Sequence, residues 1–198
     1  MTHYPDAFIR AIPKTDLHVH LDGSLRLPTL IELARERRVA LPSQTEEGLN
    51  ELVFKPAYRD LEEYLQGFAW TLRVMQDAES LERTARELAL DNWAEGVRYL
   101  EVRFAPQLHM SGDFDFAAVM AAVDRGLRGA REEVNRGLPA GEPPFDYGII
   151  VCAMRFFTGG FSRYYAALCR TLGHSAPSHV IRIASLELAR AAGHLRDE

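Results

Sequence analysis

Four side chains able to hold a metal or a polar ligand fall on alternate positions near the start of the sequence: Asp16, His18, His20 and Asp22. The positions between them are apolar: Leu17, Val19 and Leu21. Successive side chains of a β-strand point to opposite faces, so the pattern predicts a strand with two imidazoles between two carboxylates on one face. Paired histidines suit zinc or a similar divalent ion, and Gly23 allows the chain to turn just past them. The alternative is a strand whose histidines close a sheet edge without a metal.

The stretch PKTDLHVHLDGSL, residues 13–25, resembles the opening motif of the adenosine deaminase family within the amidohydrolase superfamily. Three later stretches are similar to further parts of that family. DLEEYLQGF (60–68) resembles its lid helix, EGVRYLEVRFAP (95–106) its second barrel strand and IIVCAMR (149–155) its third. The four stretches follow the family's order over about the first 155 residues.

The resemblance implies an α/β chain with the (β/α)8 TIM-barrel fold. A closed barrel of this kind typically needs about 250 residues. Residues 1–198 are therefore expected to form a single domain that holds the first three β/α units and a lid helix, the N-terminal part of such a barrel. The implied reaction is zinc-dependent hydrolytic deamination of adenosine or deoxyadenosine to inosine, in purine salvage.

The resemblance also implies roles for particular residues. His18 and His20 would be two ligands of one zinc ion, His20 would also face the substrate, and Asp22 would accept a hydrogen bond from the ribose. Related adenine deaminases tend to carry Glu at the position of Asp22, so Asp22 favours a nucleoside. The implied substrate pocket is further lined by Leu61, Tyr64, Leu65, Phe68 and Met154. From helical spacing alone, the first four of these predict core packing.

Other parts of the family's site have no match in this sequence. The family places a histidine ligand and its proton-transferring glutamate in an H-A-G-E-like segment, and an aspartate ligand further on. His174, His179 and His194 fall in loop or helical contexts and do not replace them. No catalytic residue is therefore identified, and the expected Glu and His would lie beyond residue 198. We expect the chain as given to turn over adenosine far below an enzyme's rate, and to self-associate or aggregate through exposed barrel edges.

Three other functions stay open at this point. The substrate of a deaminase of this kind could be adenine or aminodeoxyfutalosine. A phosphoesterase of the polymerase and histidinol phosphatase type also opens with D-L-H-x-H, although that family continues with Thr where this chain has Leu21. The third alternative is a non-catalytic partial barrel that binds a ligand or a partner chain.

Composition limits the partners. The net charge is −5, from 23 basic and 28 acidic residues, which argues against a nucleic-acid or anionic-membrane surface and favours a small neutral or cationic substrate. The first residues do not have the pattern of a secretory signal, so none is expected, and the sequence has no apolar run of about 18 residues, the length of a membrane helix. These features predict a cytoplasmic protein. Its two cysteines, Cys152 and Cys169, are expected to be reduced.

Apolar spacing and capping residues place the other elements. Helices are predicted over 30–39, from Asp60 to about residue 75, from Ser80 to about residue 95, from Asp113 or Asp115 onward, and over 162–172 and 178–192. Gly96, Gly173 and Gly193 are predicted to end helices. Strands over 97–104 and 147–154 complete a β-α-β alternation typical of a parallel sheet. Glu101 and Arg103 are expected to pair with each other or a neighbour, and His109 to be solvated.

Overall fold

The computed structural model describes residues 4–196, which form eight α-helices and three strands. In chain order they are α1 (Asp6–Ala11), β1 (Lys14–His20), α2 (Leu27–Glu36), α3 (Glu46–Leu52), α4 (Leu61–Val74), α5 (Ala78–Ala94), β2 (Val97–Phe104), α6 (Phe116–Asn135), β3 (Asp146–Val151), α7 (Arg163–Thr171) and α8 (Pro177–Arg196). Two short 3₁₀ turns, Leu21–Gly23 and Pro106–Leu108, follow the first two strands. No helix in this range combines the length and hydropathy that a membrane span requires.

The three strands form one parallel sheet in the order β1-β2-β3. His20 pairs with Arg103 near the carboxyl end of the sheet, and Phe104 pairs with Val151. Each strand is followed by helix, so the prediction of three β/α units of a barrel-type fold is confirmed. The outer edges of β1 and β3 pair with no strand among residues 4–196. Self-association through these edges, and the single-domain interpretation of residues 1–198, stay predictions.

The main core lies between β2 and the helix pair α5 and α6. On β2, the apolar row Leu100, Val102 and Phe104 is buried, as the alternation predicts. It meets buried side chains of the two helices, among them Leu81, Leu88, Val123 and Leu127. A second, smaller core joins α7 and α8 to the turn after β2, around the buried ring of Tyr165. Burial of these apolar faces fixes the sheet and thereby positions the ends of its strands.

Helix boundaries follow the capping residues with three corrections. The Asp60 side chain accepts a hydrogen bond from the Glu63 amide and Asp115 caps α6 in the same way, as predicted. Gly96, at a φ of +88°, ends α5. The cap predicted at Ser80 is wrong, because Asp77 accepts from the Ser80 amide and starts α5 earlier. Helix α2 likewise spans 27–36 rather than 30–39, and α8 continues through Gly193.

Candidate functional site

The first strand ends earlier than its alternating sequence predicts. Residues 16 to 19 of β1 face only residues 100 to 102 of β2, so β1 carries one extra residue, a bulge that interrupts the alternation. The predicted apolar row therefore splits: Leu17 is 55% exposed, whereas Leu21 is fully buried. Asp22 lies in the 3₁₀ turn after the strand rather than one strand period beyond His20.

The two histidines of β1 lie side by side at the carboxyl end of the sheet. Their ring centroids are 5.4 Å apart, with the planes tilted by 51°. Burial lowers the pKa of His20, and the charges of Arg103 and His18 lower it further, so its imidazole is neutral and free to act as a ligand at neutral pH. Within residues 4–196, no three His, Cys, Asp or Glu side chains gather into a group that would hold a metal ion.

Asp22 is a buried carboxyl with an unused acceptor. Asp22 is 6% exposed, and its Oδ1 has no hydrogen-bond partner among the described residues. The nearest ionisable nitrogen, Nδ1 of His20, lies 3.8 Å from that oxygen. Burial raises the pKa of Asp22 to about 6. A buried acceptor without a partner is costly, so Asp22 is suited to accept a hydrogen bond from a ligand.

A cavity of about 1190 Å³ opens beside these residues. Its walls come from α4, the carboxyl ends of β1 and β2, the segment after β3 and the start of α7. Five of the predicted site residues line it: His20, Asp22, Leu65, Phe68 and Met154. His18, Leu61 and Tyr64 are not part of this lining. A smaller cavity of about 330 Å³ between α6, β3 and α8 has only apolar side chains in its lining and offers no group for chemistry.

Only part of the apolar face of α4 faces the cavity. Phe68 reaches the turn after β1, with its ring centroid 6.2 Å from that of His20. Gly23 makes this approach possible, since a Cβ there would lie 3.1 Å from the Phe68 ring. Tyr64 packs edge-on against Phe68, at 5.8 Å, while Leu61 at the start of the helix is 69% exposed. Of the four helix residues predicted to line the pocket, only Leu65 and Phe68 do so.

Arg103 connects the histidine pair to the rest of the sheet. Its Nη1 lies 2.7 Å from Nε2 of His18, and Nη2 donates to Sγ of Cys152 at 3.2 Å. Glu101 instead accepts from the Tyr99 hydroxyl at 3.2 Å. The two opposite charges of β2 therefore have neighbouring partners rather than each other, one of the two outcomes expected.

The prediction that His109 is solvated is wrong. The 3₁₀ turn after β2 folds it into the protein, where it is fully buried with its ring 5.7 Å from that of Phe104. Its Nδ1 lies 2.8 Å from the Met75 carbonyl oxygen, to which it donates as the protonated nitrogen. Burial lowers the pKa of His109 to about 4.

Sequence reasoning missed several polar residues of the cavity. Arg73, Gln76, Arg155 and Arg163 contribute to its lining, and they come from α4, the residues just past it, the segment after β3 and α7. These four residues follow no regular spacing in the sequence that would place them at one site. A signal existed only for Arg155, which directly follows Met154 in the family-like stretch IIVCAMR.

The family model described as adenosine deaminase matches residues 13–191. The chain belongs to the adenosine deaminase family. An adenosine deaminase of Shewanella woodyi is 43% identical over 122 residues, which make up 61% of this chain and 37% of that relative. The chain therefore spans little more than a third of the length of this curated relative.

Two solved structures share the fold. The structure of Arabidopsis ADAL complexed with GMP superposes with a TM-score of 0.58 at 27% identity, over 84% of this chain and 46% of that one. An amidohydrolase of Burkholderia ambifaria with bound Zn superposes with a TM-score of 0.59 at 20% identity, over 94% of this chain and 51% of that one. These structures support the assignment of the three β/α units to a TIM-barrel-type fold.

Proposed function

We propose that the cavity is the substrate and metal site of a hydrolytic aminohydrolase that removes the 6-amino group of adenosine or deoxyadenosine. One observation carries the proposal. His20 and Asp22 share a single cavity with the apolar face of α4, at the carboxyl ends of parallel strands, where barrel enzymes of this type build their active sites. The family membership of residues 13–191 supports this chemistry. Purine salvage and a cytoplasmic location belong to the same proposal.

Zinc would be held in part by His18 and His20. Two neighbouring imidazoles, one with a lowered pKa, fit two positions of a zinc ion, and the described residues gather no further group around them. The related amidohydrolase with bound Zn supports the choice of metal. When bound, zinc supplies water activated for attack at neutral pH.

The remaining residues would bind and enclose the nucleoside. Asp22 has a buried oxygen, without a partner in the described part of the chain, with which to accept a hydrogen bond from a ribose hydroxyl. Phe68, Leu65 and Met154 provide apolar surface for the purine ring and exclude water from its amino group. This division places the polar recognition of the sugar on the turn after β1 and the apolar recognition of the base on α4.

The test compares the chain with and without zinc. We expect calorimetry to show adenosine binding by the zinc-loaded chain, weaker binding by the metal-free chain, and loss of the zinc effect in His20→Ala. Loss of adenosine absorbance then follows conversion to inosine in the same samples. Adenosine binding whose affinity depends on neither zinc nor His20 would contradict the proposed site.

One observation favours a second candidate, a ligand-binding partial barrel without catalysis. Residues 4–196 contain no group of three metal-binding side chains, whereas catalytic zinc sites usually use three protein ligands. The same experiment separates the two functions. Inosine formation that His20→Ala abolishes favours the deaminase, and zinc-dependent adenosine binding without inosine favours the binding function.

A further inference from the structure

Helices α7 and α8 pack on the turn after β2 through the second, smaller core, which includes Leu108 and Tyr165. Helix α8 also reaches the main core through Leu188, but no described residue of α7 does. The start of α7 is part of the cavity lining, to which it contributes Phe161, Ser162, Arg163 and Ala166. The position of this helix pair therefore sets the shape of one side of the cavity.

One buried polar side chain in the turn after β2 bonds to both helices. Gln107 is 2% exposed and lies in the 3₁₀ turn Pro106–Leu108. Its Nε2 donates to the backbone carbonyl oxygen of Ala184 in α8 at 2.9 Å and to the Tyr164 hydroxyl in α7 at 3.0 Å. Its Oε1 accepts from the Tyr165 hydroxyl at 3.0 Å. Both amide protons and the amide oxygen of Gln107 are thus used within the protein.

The surrounding groups allow only one orientation of the Gln107 amide. The Ala184 carbonyl oxygen can only accept, so the amide nitrogen has to face it. Burial raises the pKa of Tyr165, so its hydroxyl stays protonated and donates to the amide oxygen. Burial and the hydrogen bond to Glu187 likewise raise the pKa of Tyr164, whose hydroxyl donates to Glu187. An amide satisfies this site, whereas a carboxylate of the same size has no proton to donate to the Ala184 carbonyl oxygen.

The backbone of Gln107 holds the start of α7. Ser162 Oγ donates to the Gln107 carbonyl oxygen at 2.7 Å and accepts from the Tyr165 amide at 3.2 Å. Ser162 is therefore both the N-cap of α7 and its link to the turn. Phe104 and Ala105, just before the turn, line the same cavity, so the bonds connect two parts of its lining. We call this hydrogen-bonded group the Gln107 network, which consists of Gln107, Ser162, Tyr164, Tyr165, Ala184 and Glu187.

The network supplies what the small core around Tyr165 does not. Apolar burial is non-directional, so it favours packing of the two helices without fixing their angle. Hydrogen bonds depend on distance and angle, and a buried group that loses its partner is costly. The Gln107 network therefore favours one position of the helix pair over nearby ones.

We propose that Gln107 is a positioning residue, whose side chain fixes α7 and α8 against the end of β2 and so gives the cavity the shape that binds adenosine. The inference rests on the proposed function for the identity of the ligand. Gln107 itself is not part of the cavity lining and acts only through the two helices. Apparent affinity falls in proportion to the fraction of molecules whose site is formed, so a loosened helix pair lowers adenosine affinity.

The experiment measures adenosine affinity by calorimetry and amide hydrogen exchange by mass spectrometry on the zinc-loaded 198-residue chain. Gln107→Glu keeps the size of the side chain and replaces the donor to Ala184 by an oxygen. We expect this variant to bind adenosine about tenfold or more weakly, and residues 163–190 to exchange at least about tenfold faster. Zinc affinity should not change, because β1 contributes no residue to the network.

Two further variants complete the experiment. Tyr165→Phe removes one hydroxyl from the network, leaves the apolar ring in the small core, and keeps the inference testable if Gln107→Glu fails to fold. Its adenosine affinity should fall by about two- to tenfold, with faster exchange in α7 and α8. Val123→Ala is the control for general destabilisation, because Val123 is fully buried in the main core on α6. This control should melt at a lower temperature and keep its adenosine affinity.

The possible outcomes separate this inference from the proposed function. Equal adenosine affinity in the wild type and both network variants, with faster exchange in α7 and α8, would show that Gln107 contributes only to stability and would overturn the inference. Loss of zinc affinity in Gln107→Glu, or an equal loss of adenosine affinity in Val123→Ala, would overturn it as well. These outcomes leave the proposed function standing. Absence of adenosine binding by the wild type would overturn the proposed function and the inference with it.

Discussion

The two walls of the cavity are built in different ways. The β1 wall, consisting of His20 and Asp22 with His18 beside them outside the lining, comes from positions 18–22, which span the end of β1 and the turn after it. The arginine wall, consisting of Arg73, Arg103, Arg155 and Arg163, comes from four elements spread over some ninety residues. The first wall can be recognised from a short motif. The second exists only after the parallel sheet and its flanking helices have assembled, and it carries a charge opposite to that of the chain as a whole.

The largest expected effect is a loss of zinc affinity when a histidine of β1 is replaced. His18→Ala or His20→Ala should lower zinc affinity by on the order of 100-fold or more, because even residues that merely support a metal ligand contribute about 10- to 100-fold. Equilibrium dialysis with metal analysis measures the affinity. His174→Ala, an exposed histidine in the turn after α7, serves as the control and should bind zinc normally. Normal zinc stoichiometry in both β1 variants would show that the histidine pair is structural.

The second prediction concerns His109, a buried histidine that we expect to affect stability rather than metal binding. His109 is buried with its pKa lowered to about 4 from 6.5, so below about pH 6.5 the unfolded chain binds more protons than the folded one. Its contribution to stability is present above that pH and is lost as pH falls towards 4, by on the order of 3 kcal/mol.

Urea unfolding of the wild type and of His109→Gln between pH 7 and pH 4 measures this effect. The glutamine amide can still donate to the Met75 carbonyl but does not titrate, so the pH dependence of the unfolding free energy should flatten. An unchanged slope in the variant would mean that His109 is accessible to protons in the folded protein.

Asp22→Ala separates ligand recognition from stability on the β1 wall. Loss of a hydrogen bond to a charged group should weaken adenosine binding by about 1.5–3 kcal/mol and leave adenine binding nearly unchanged. Because the Asp22 oxygen has no partner among the described residues, the melting temperature should stay level or rise. Calorimetric binding and thermal unfolding give the two values. Equal losses for adenosine and adenine would contradict the contact with the sugar.

The smallest expected effect concerns α4, part of whose apolar face lines the cavity. Phe68→Ala removes an aromatic surface that lines the cavity and should weaken adenosine binding by about tenfold, with a smaller effect on the melting temperature because the ring is only partly buried. Leu61→Ala, at the exposed start of the same helix, should leave adenosine affinity unchanged. A large loss of thermal stability with normal binding in Phe68→Ala would assign the ring to the core.

The predictable parts of the fold are those set by local chemistry. Asp60 and Asp115 cap their helices, Gly96 adopts the left-handed conformation that ends α5, and the buried face of β2 alternates as its sequence implies. The motif from Pro13 to Ser24 and the later family-like stretches identified the family and the barrel-type sheet.

The remaining features depend on strand pairing and packing between residues that are far apart in the sequence. The bulge in β1 arises from its register with β2, and it moves Asp22 off the strand into a turn. His109 is buried because the turn after β2 packs against Met75 and Gln76, just past α4, and a loop sequence carries no sign of that. The helical stripe 61–68 likewise has no local signal for why Phe68 lines the cavity while Leu61 is exposed.

A crystal structure of the chain soaked with zinc and inosine tests the central claim most directly. We expect an anomalous zinc peak about 2.0–2.1 Å from a ring nitrogen of both His18 and His20. We also expect a ribose hydroxyl about 2.5–2.7 Å from a carboxylate oxygen of Asp22, with the purine against Phe68. Zinc bound elsewhere, with both histidines free and the cavity empty of nucleoside, would contradict the assignment of this site.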